Sequence, residues 1–186
     1  MKEHYKGFLA IALAVVLFLI ASITIRVALA TEIPLAAVSS GSMEPTIHRG
    51  SLIIIKGVKP EEINAAPAPK GDIIVYLRSY TIKYDYIFFV FYSPDPIVHR
   101  AIKKVEINGK WYFLTKGDAN KYYDQNPRDP RTWVPENRVL GKVIYVIPEL
   151  GYPALFAKTT YGKAVLVLAI IAVLVLWIQA ERRDRS

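Results

Sequence analysis

Two long apolar runs bracket this chain, and a region of short alternating runs lies between them. From Gly7 to Ile25 the sequence is almost uninterruptedly apolar, preceded by Lys2 and Lys6 and followed by Arg26. At the rise of an α-helix this run reaches about 28 Å, the thickness of a bilayer's hydrocarbon core. The pattern therefore predicts a membrane-spanning helix over 7–28. A cleavable leader is the rival, because Ala28-Leu29-Ala30 has the small-x-small form of a cleavage site. The apolar core of such leaders is only about 7–15 residues, so a retained anchor is expected. The second run, Ala164 to Ile178, is extended by Tyr161, Gly162 and Lys163 if the lysine snorkels to the interface. It predicts a second spanning helix over 162–180, with Trp177 in the opposite aromatic belt.

Between the anchors, residues 31–160 read as a mostly β domain. Ser51 to Lys56 and Asp72 to Leu77 are β-branched runs introduced by Gly50 and Gly71, and Pro60 to Lys70 is a Pro/Ala-rich connection. Ile97 to Ile107 predicts a long strand. Asn108-Gly109 follows it as a type I′ hairpin signal, with a returning strand over Lys110 to Thr115. Val139 to Ile147 closes the set, and the proline-rich stretch Asn126 to Pro135 reads as an irregular loop. Ile87-Phe88-Phe89-Val90-Phe91-Tyr92 is apolar on both faces. It suits either a buried central strand or an aromatic hairpin dipping into the outer leaflet beside Tyr80, Tyr84 and Tyr86.

Composition narrows the chemistry. The 186 residues contain no cysteine, which removes disulfides, thiolate metal sites and a cysteine nucleophile. The formal charge of +8 comes from Lys and Arg spread along the chain, with a basic terminus beside an apolar segment. Attraction to anionic lipid headgroups explains this better than nucleic-acid binding, which is not expected. Lys2 and Lys6 at one end and Glu181-Arg182-Arg183-Asp184-Arg185 at the other place the tails 1–6 and 181–186 in the cytoplasm by the positive-inside rule. The middle domain is then extracytoplasmic.

The candidate chemistry begins at Ser39-Ser40-Gly41-Ser42-Met43-Glu44-Pro45-Thr46, where serines stand in a turn just beyond the first anchor. A serine hydroxyl becomes a nucleophile only with a base to take its proton and donors to hold the oxyanion. Of the three histidines, His4 precedes the anchor and His48 is too near Ser42 along the chain to fold back easily. His99 projects from the alternating strand Ile97-Val98-His99-Arg100-Ala101-Ile102, on the face of Ile97 and Ala101. The loop Lys116-Gly117-Asp118-Ala119-Asn120-Lys121-Tyr122-Tyr123-Asp124 supplies acids. HExxH, GxxxxGK and GxSxG are absent, which argues against zinc-peptidase, P-loop and α/β-hydrolase readings. No metal or other cofactor is expected.

Together SGSMEPT, GDIIVYL, VHR and KGDANKYYD, in that order, resemble type I signal peptidases of the archaeal and endoplasmic-reticulum branch. The resemblance covers roughly residues 36 to 145 plus the flanking anchors. It implies a signal-peptidase-like β fold carrying a serine endopeptidase that removes signal peptides from secretory preproteins after small residues. It also implies a lipid-bilayer setting and an association with the protein-export machinery. By the same resemblance Ser42 is the nucleophile, His99 the base and Asp124 its acidic partner. Asp118 is a second essential acid or a loop organiser, and the Ser40 hydroxyl joins the Ser42 backbone N–H in the oxyanion hole. The sequence departs from the family in Ser51, in Ala119 and in a long aromatic insertion before His99. Two alternatives stay open: a lysine base, from Lys83, Lys103 or Lys104, and a tethered β module that binds a partner without chemistry.

Overall fold

The structure, a computed structural model, describes residues 2–86 and 89–183. An antiparallel sheet of seven strands forms its body. The strands are β1 (Leu35–Ala37), β2 (Leu52–Lys56), β3 (Ile73–Tyr76), β6 (Ile97–Ile107), β7 (Lys110–Lys116), β8 (Val134–Pro135) and β9 (Val139–Ile147). A separate ribbon pairs β4 (Ile82–Tyr86) with β5 (Phe89–Ser93). The main sheet runs β1-β2-β9-β3-β6-β7-β8, so the long strand β6 lies near its middle, between β3 and β7. Asn108 and Gly109 take φ of 52° and 74°, the left-handed pair that a type I′ turn requires, and they set the β6–β7 register.

Alternation along the strands separates two apolar clusters. Ile53, Ile55 and Val75 pack with Val38, Met43 and Ile47. Ile74, Tyr76, Ala101 and Phe113 pack with Ile63 and Val134. Val75 thus faces one cluster while its neighbours Ile74 and Tyr76 face the other, as a period of two dictates. Register shifts interrupt three ladders, at Ile54/Ile55, Val75/Tyr76 and Ala101/Lys103. Each inserts an extra residue that bends and twists its strand, and together they curl the sheet.

The expected strands form, with ends moved by a residue or two. Three details differ from expectation. The Asn126–Pro135 stretch is irregular only in its first part, since it carries a 3-10 turn at Pro130–Thr132 and the short strand β8. The shift at Ala101/Lys103 breaks the simple alternation of β6, so Lys103 is exposed two residues beyond the buried Ala101. The aromatic run is not a central strand: among the described residues Phe89–Ser93 pairs only with Ile82–Tyr86, outside the main sheet. Ile87 and Phe88 lie outside the described residues, as do the side chains of His4, Lys2, Lys6 and the basic C-terminal tail.

Helix α1 (Lys2–Ala28) precedes the sheet, and α2 (Tyr152–Lys158) and α3 (Thr160–Arg183) follow it. Within α1 and α3, Leu9–Ala28 and Thr160–Ala180 are long and apolar enough to cross a membrane. Their large apolar side chains, such as Leu17 and Leu168, are exposed rather than packed on the sheet. Thr159 caps α3 by accepting the Gly162 N–H at 2.9 Å on its hydroxyl, which separates the short α2 from the long helix.

Phe113 is wholly buried between β6 and β8. Phe113→Ala should lower stability by about 3–5 kcal/mol, read by chemical denaturation in detergent, because the neighbouring strands cannot close the cavity. A loss under about 1 kcal/mol would contradict this core.

Candidate active site

Met43 and Ile47 plug the turn after β1 into the apolar cluster, each almost wholly buried, and so hold the intervening and preceding polar atoms in place. Ser42, one residue before the first plug, turns its hydroxyl toward β6. There His99 Nε2 lies 3.0 Å from Ser42 Oγ, and His99 Nδ1 lies 2.6 Å from Asp124 Oδ2. A carboxylate can only accept, so Nδ1 carries the ring proton and Nε2 presents its lone pair to the serine. Ser40 Oγ lies 3.2 Å from Ser42 Oγ.

Strand alternation sorts the two acids. His99 and Arg100 are successive residues of β6 and leave it on opposite faces. Asp124 meets the histidine, while Asp118 meets the arginine: Arg100 Nε donates to Asp118 Oδ1 at 2.8 Å and a terminal nitrogen donates to Oδ2 at 2.5 Å. Thr46 Oγ1 donates to the same Oδ2 at 2.6 Å. Burial works to raise the Asp118 carboxyl, but the hydrogen bonds from Arg100 and Thr46 and the arginine charge outweigh it. The carboxyl therefore sits below the ordinary carboxylate range.

The acidic loop also grips the serine turn through its backbone. Ala119 N–H donates to the Ser42 carbonyl at 3.0 Å. A Cβ on Gly117 would come within 2.5 Å of that same carbonyl, so only glycine allows the approach. Farther along, Asp124 Oδ2 accepts from Thr115 Oγ1 at 2.7 Å and from the Tyr76 hydroxyl at 3.1 Å. Gln125 clamps Thr115 from outside, taking its backbone N–H at 2.9 Å and donating to its hydroxyl at 3.0 Å.

A cleft of about 720 Å³ opens over these groups. Edge strand β1 forms one wall, Tyr92 and Ile97 stand opposite, and Ser40, Ser42 and His99 line it. The other base candidates lie elsewhere. Lys83 pairs with Glu32 at 2.6 Å and Asp85 at 3.1 Å, and these hydrogen bonds push its ammonium above the ordinary lysine range, the reverse of what a base needs. Lys104 donates to the Glu61 carbonyl at 2.7 Å and lies over the Trp111 ring. Lys103 is exposed. His48 is exposed too, 3.9 Å from Glu44.

Sequence reasoning missed Arg100, Thr46, Tyr76, Thr115 and Gln125. Arg100 left a signal, as a charge next to His99 inside the otherwise apolar strand run Ile97 to Ile102.

Residues 8–147 match the model of a family described as signal peptidase, peptidase S26. The signal peptidase complex catalytic subunit SEC11C of Homo sapiens is 35% identical over 123 residues, covering 65% of this chain and 55% of that protein. The chain therefore spans about half the length of that relative. The catalytic subunit sec11 of Schizosaccharomyces pombe is 33% identical over 122 residues, covering 64% and 65%. The catalytic subunit SEC11 of Tuber melanosporum is 30% identical over 149 residues, covering 77% and 73%.

The depressed Asp118 carboxyl has a consequence for acid stability. A carboxyl whose folded pKa lies below its unfolded value of about 3.9 contributes its stability above that pH and loses it as pH falls through the folded pKa. Asp118→Asn, which leaves Arg100 buried and unpaired, should destabilise the protein by about 3–5 kcal/mol at neutral pH. The gap to wild type should narrow below about pH 4 as wild-type Asp118 is protonated. Thermal unfolding of both proteins against pH checks this, and a gap that stays constant into acid would refute it.

Proposed function

The chain belongs to the signal peptidase family, peptidase S26, and from that premise we propose that it is a membrane-bound serine endopeptidase that cleaves signal peptides from secretory preproteins. The observation that carries the reading is the continuous contact Ser42–His99–Asp124, with 3.0 Å and 2.6 Å between successive polar atoms. Ser42 Oγ attacks the scissile carbonyl while His99 Nε2 takes its proton. The tetrahedral intermediate's oxyanion is held by the Ser42 backbone N–H and the Ser40 hydroxyl. His99 then delivers its proton to the leaving amine, and Asp124 keeps the ring in the required tautomer and offsets the imidazolium charge. The mature chain departs as that amine; water then attacks the acyl-enzyme by the same exchange, releasing the signal peptide as its carboxylic acid and restoring the Ser42 hydroxyl. Asp118 takes no proton: bound to Arg100 and Thr46, it organises the loop that holds the serine turn.

The proposed arrangement has tails at 1–6 and 181–186 in the cytoplasm, spanning helices over 7–28 and 162–180, and the catalytic domain over 31–160 outside. Anchoring enzyme and substrate helix in one bilayer confines their encounter to a thin layer, which raises their effective concentration. Its partners on this reading are preproteins, lipid and the export machinery. The cleft walled by β1 suits an extended chain with small side chains near the cut.

Ser42→Ala should abolish preprotein cleavage in detergent without lowering thermal stability. His99→Ala should lower kcat by about 10⁴, the scale seen when such a triad loses a member. Lys83→Ala, Lys103→Ala and Lys104→Ala should each cleave near the wild-type rate, and a dead lysine variant beside an active His99→Ala would replace the histidine with a lysine base. Topology is tested separately. Protease outside sealed spheroplasts should reach the Asn126–Pro135 loop and spare a tag placed after Ser186; loss of the tag would overturn the orientation.

A further inference from the structure

Asp124 Oδ2 is a crowded atom. It accepts from His99 Nδ1 of β6 at 2.6 Å, from Thr115 Oγ1 of β7 at 2.7 Å and from the Tyr76 hydroxyl of β3 at 3.1 Å. Tyr76 is 3% exposed and Thr115 is fully buried, so neither hydroxyl has water as an alternative partner. Tyr76 Oη also lies 3.0 Å from Thr115 Oγ1. One set of proton positions satisfies the cluster. Gln125 donates to the Thr115 hydroxyl, Thr115 and Tyr76 both donate to Asp124, and Asp124 accepts the His99 proton.

We propose that Tyr76 is a positioning residue of this site, whose hydroxyl competes with His99 for the carboxylate charge and thereby sets the pH at which the imidazole becomes a usable base. The proposal rests on the assignment of His99 as base. A hydroxyl dipole aimed at Asp124 puts its positive end nearer the imidazole than its negative end, so it opposes protonation of the ring. With the dipole removed, Asp124 holds an imidazolium more tightly. The protonated, inactive form then persists to higher pH. Burial, followed by the Asp124 charge, pushes the Tyr76 phenol far above its ordinary range, so it keeps its proton as a donor throughout any working pH. Across β6, on its other face, stands the Asp118–Arg100 pair, whose charges oppose each other and whose carboxyl already lies below the ordinary range, so its charge stays fixed while the imidazole titrates. Lys116 ends β7 beyond Thr115 and is only half-buried.

Tyr76→Phe removes the hydroxyl and keeps the ring that packs against Ile74 and Phe113. Two readouts in the full-length protein in detergent test the proposal: the acid limb of kcat/KM for a preprotein, and the titration of the His99 ring followed by NMR. Tyr76→Phe should move both to higher pH by about half to one unit, a fraction of the effect of a hydrogen bond to a charged group. KM should change little. Thr115→Val removes the second donor to the same oxygen and should move both readouts in the same direction, and it serves if Tyr76→Phe does not fold. Thr115→Ser, which keeps a hydroxyl, should restore the wild-type profile. Ring titration and acid limb that both stay at the wild-type pH, or that move to lower pH, overturn the proposal. A ring titration that moves upward while the acid limb stays fixed upholds the hydroxyl's action on the imidazole, and instead removes His99 as the base.

Discussion

A buried guanidinium needs a carboxylate, and in this protein that need ties three separated parts of the chain together. Arg100 is almost wholly buried, and its partner Asp118 comes from the loop after β7. Leaving such a charge unpaired costs several kcal/mol, so the loop is pulled down onto β6. Once there, it meets the serine turn twice, through Thr46 on Asp118 and through the Ala119 N–H on the Ser42 carbonyl. The ion pair thus does not take part in the proposed chemistry. It brings the turn of Ser42, the strand of His99 and the loop of Asp124 to one place, with tolerances set by bidentate geometry rather than by loop flexibility.

Asp124 lies six residues beyond Asp118 in the loop so anchored, and its own backbone N–H returns to the Thr115 carbonyl at 2.9 Å. The loop therefore leaves β7 at Lys116 and closes back on Thr115, one residue earlier. This closure lets a single carboxylate oxygen gather donors from β3, β6 and β7 at once. A polar cluster of this kind is stable in a low-dielectric setting only when its members are satisfied, and each of Tyr76, Thr115, Gln125, Asp124 and His99 has a partner here. The same completeness rigidifies the imidazole, which general-base chemistry requires.

Much of this was legible from residue types and period. Alternation from Ile97 to Ile102 located His99 on a strand, Asn108-Gly109 fixed the hairpin after it, and the apolar runs marked the helices. Local pattern could not rank Asp118 against Asp124, because the ranking depends on which face of β6 each acid meets. That in turn follows from the path of the loop after β7, which carries Asp118 to Arg100 and returns Asp124 to Thr115 and His99. Long-range contact of this sort leaves no local trace. Neither do the bulges: one falls between Ala101 and Lys103, and Lys103, two residues past the buried Ala101, is exposed. Tyr76 and Thr115 read as ordinary strand residues, since nothing in a β-branched or aromatic position announces that its hydroxyl will be used.

The aromatic ribbon before His99 stands outside the main sheet and still shapes the surroundings of the site. The strands of the ribbon β4–β5 pair with each other, so the main sheet needs no new ladder to carry it. Closing a longer loop adds only a logarithmic entropy cost, so the excursion is thermodynamically cheap. Its base is nevertheless fixed: Lys83 and the Tyr92 hydroxyl both bond Glu32, in the segment between α1 and β1. Beyond the ribbon, Asp95 pairs with Lys158 at the end of α2, and its carbonyl takes a hydrogen bond from Arg78 at 2.8 Å. These contacts hold Val90 and Tyr92 against the cleft opposite β1. The ribbon therefore contributes a wall of the cleft without supplying any of the polar contacts among Ser42, His99 and Asp124. The wall of the cleft and the polar contacts beneath it are thus built by separate parts of the chain.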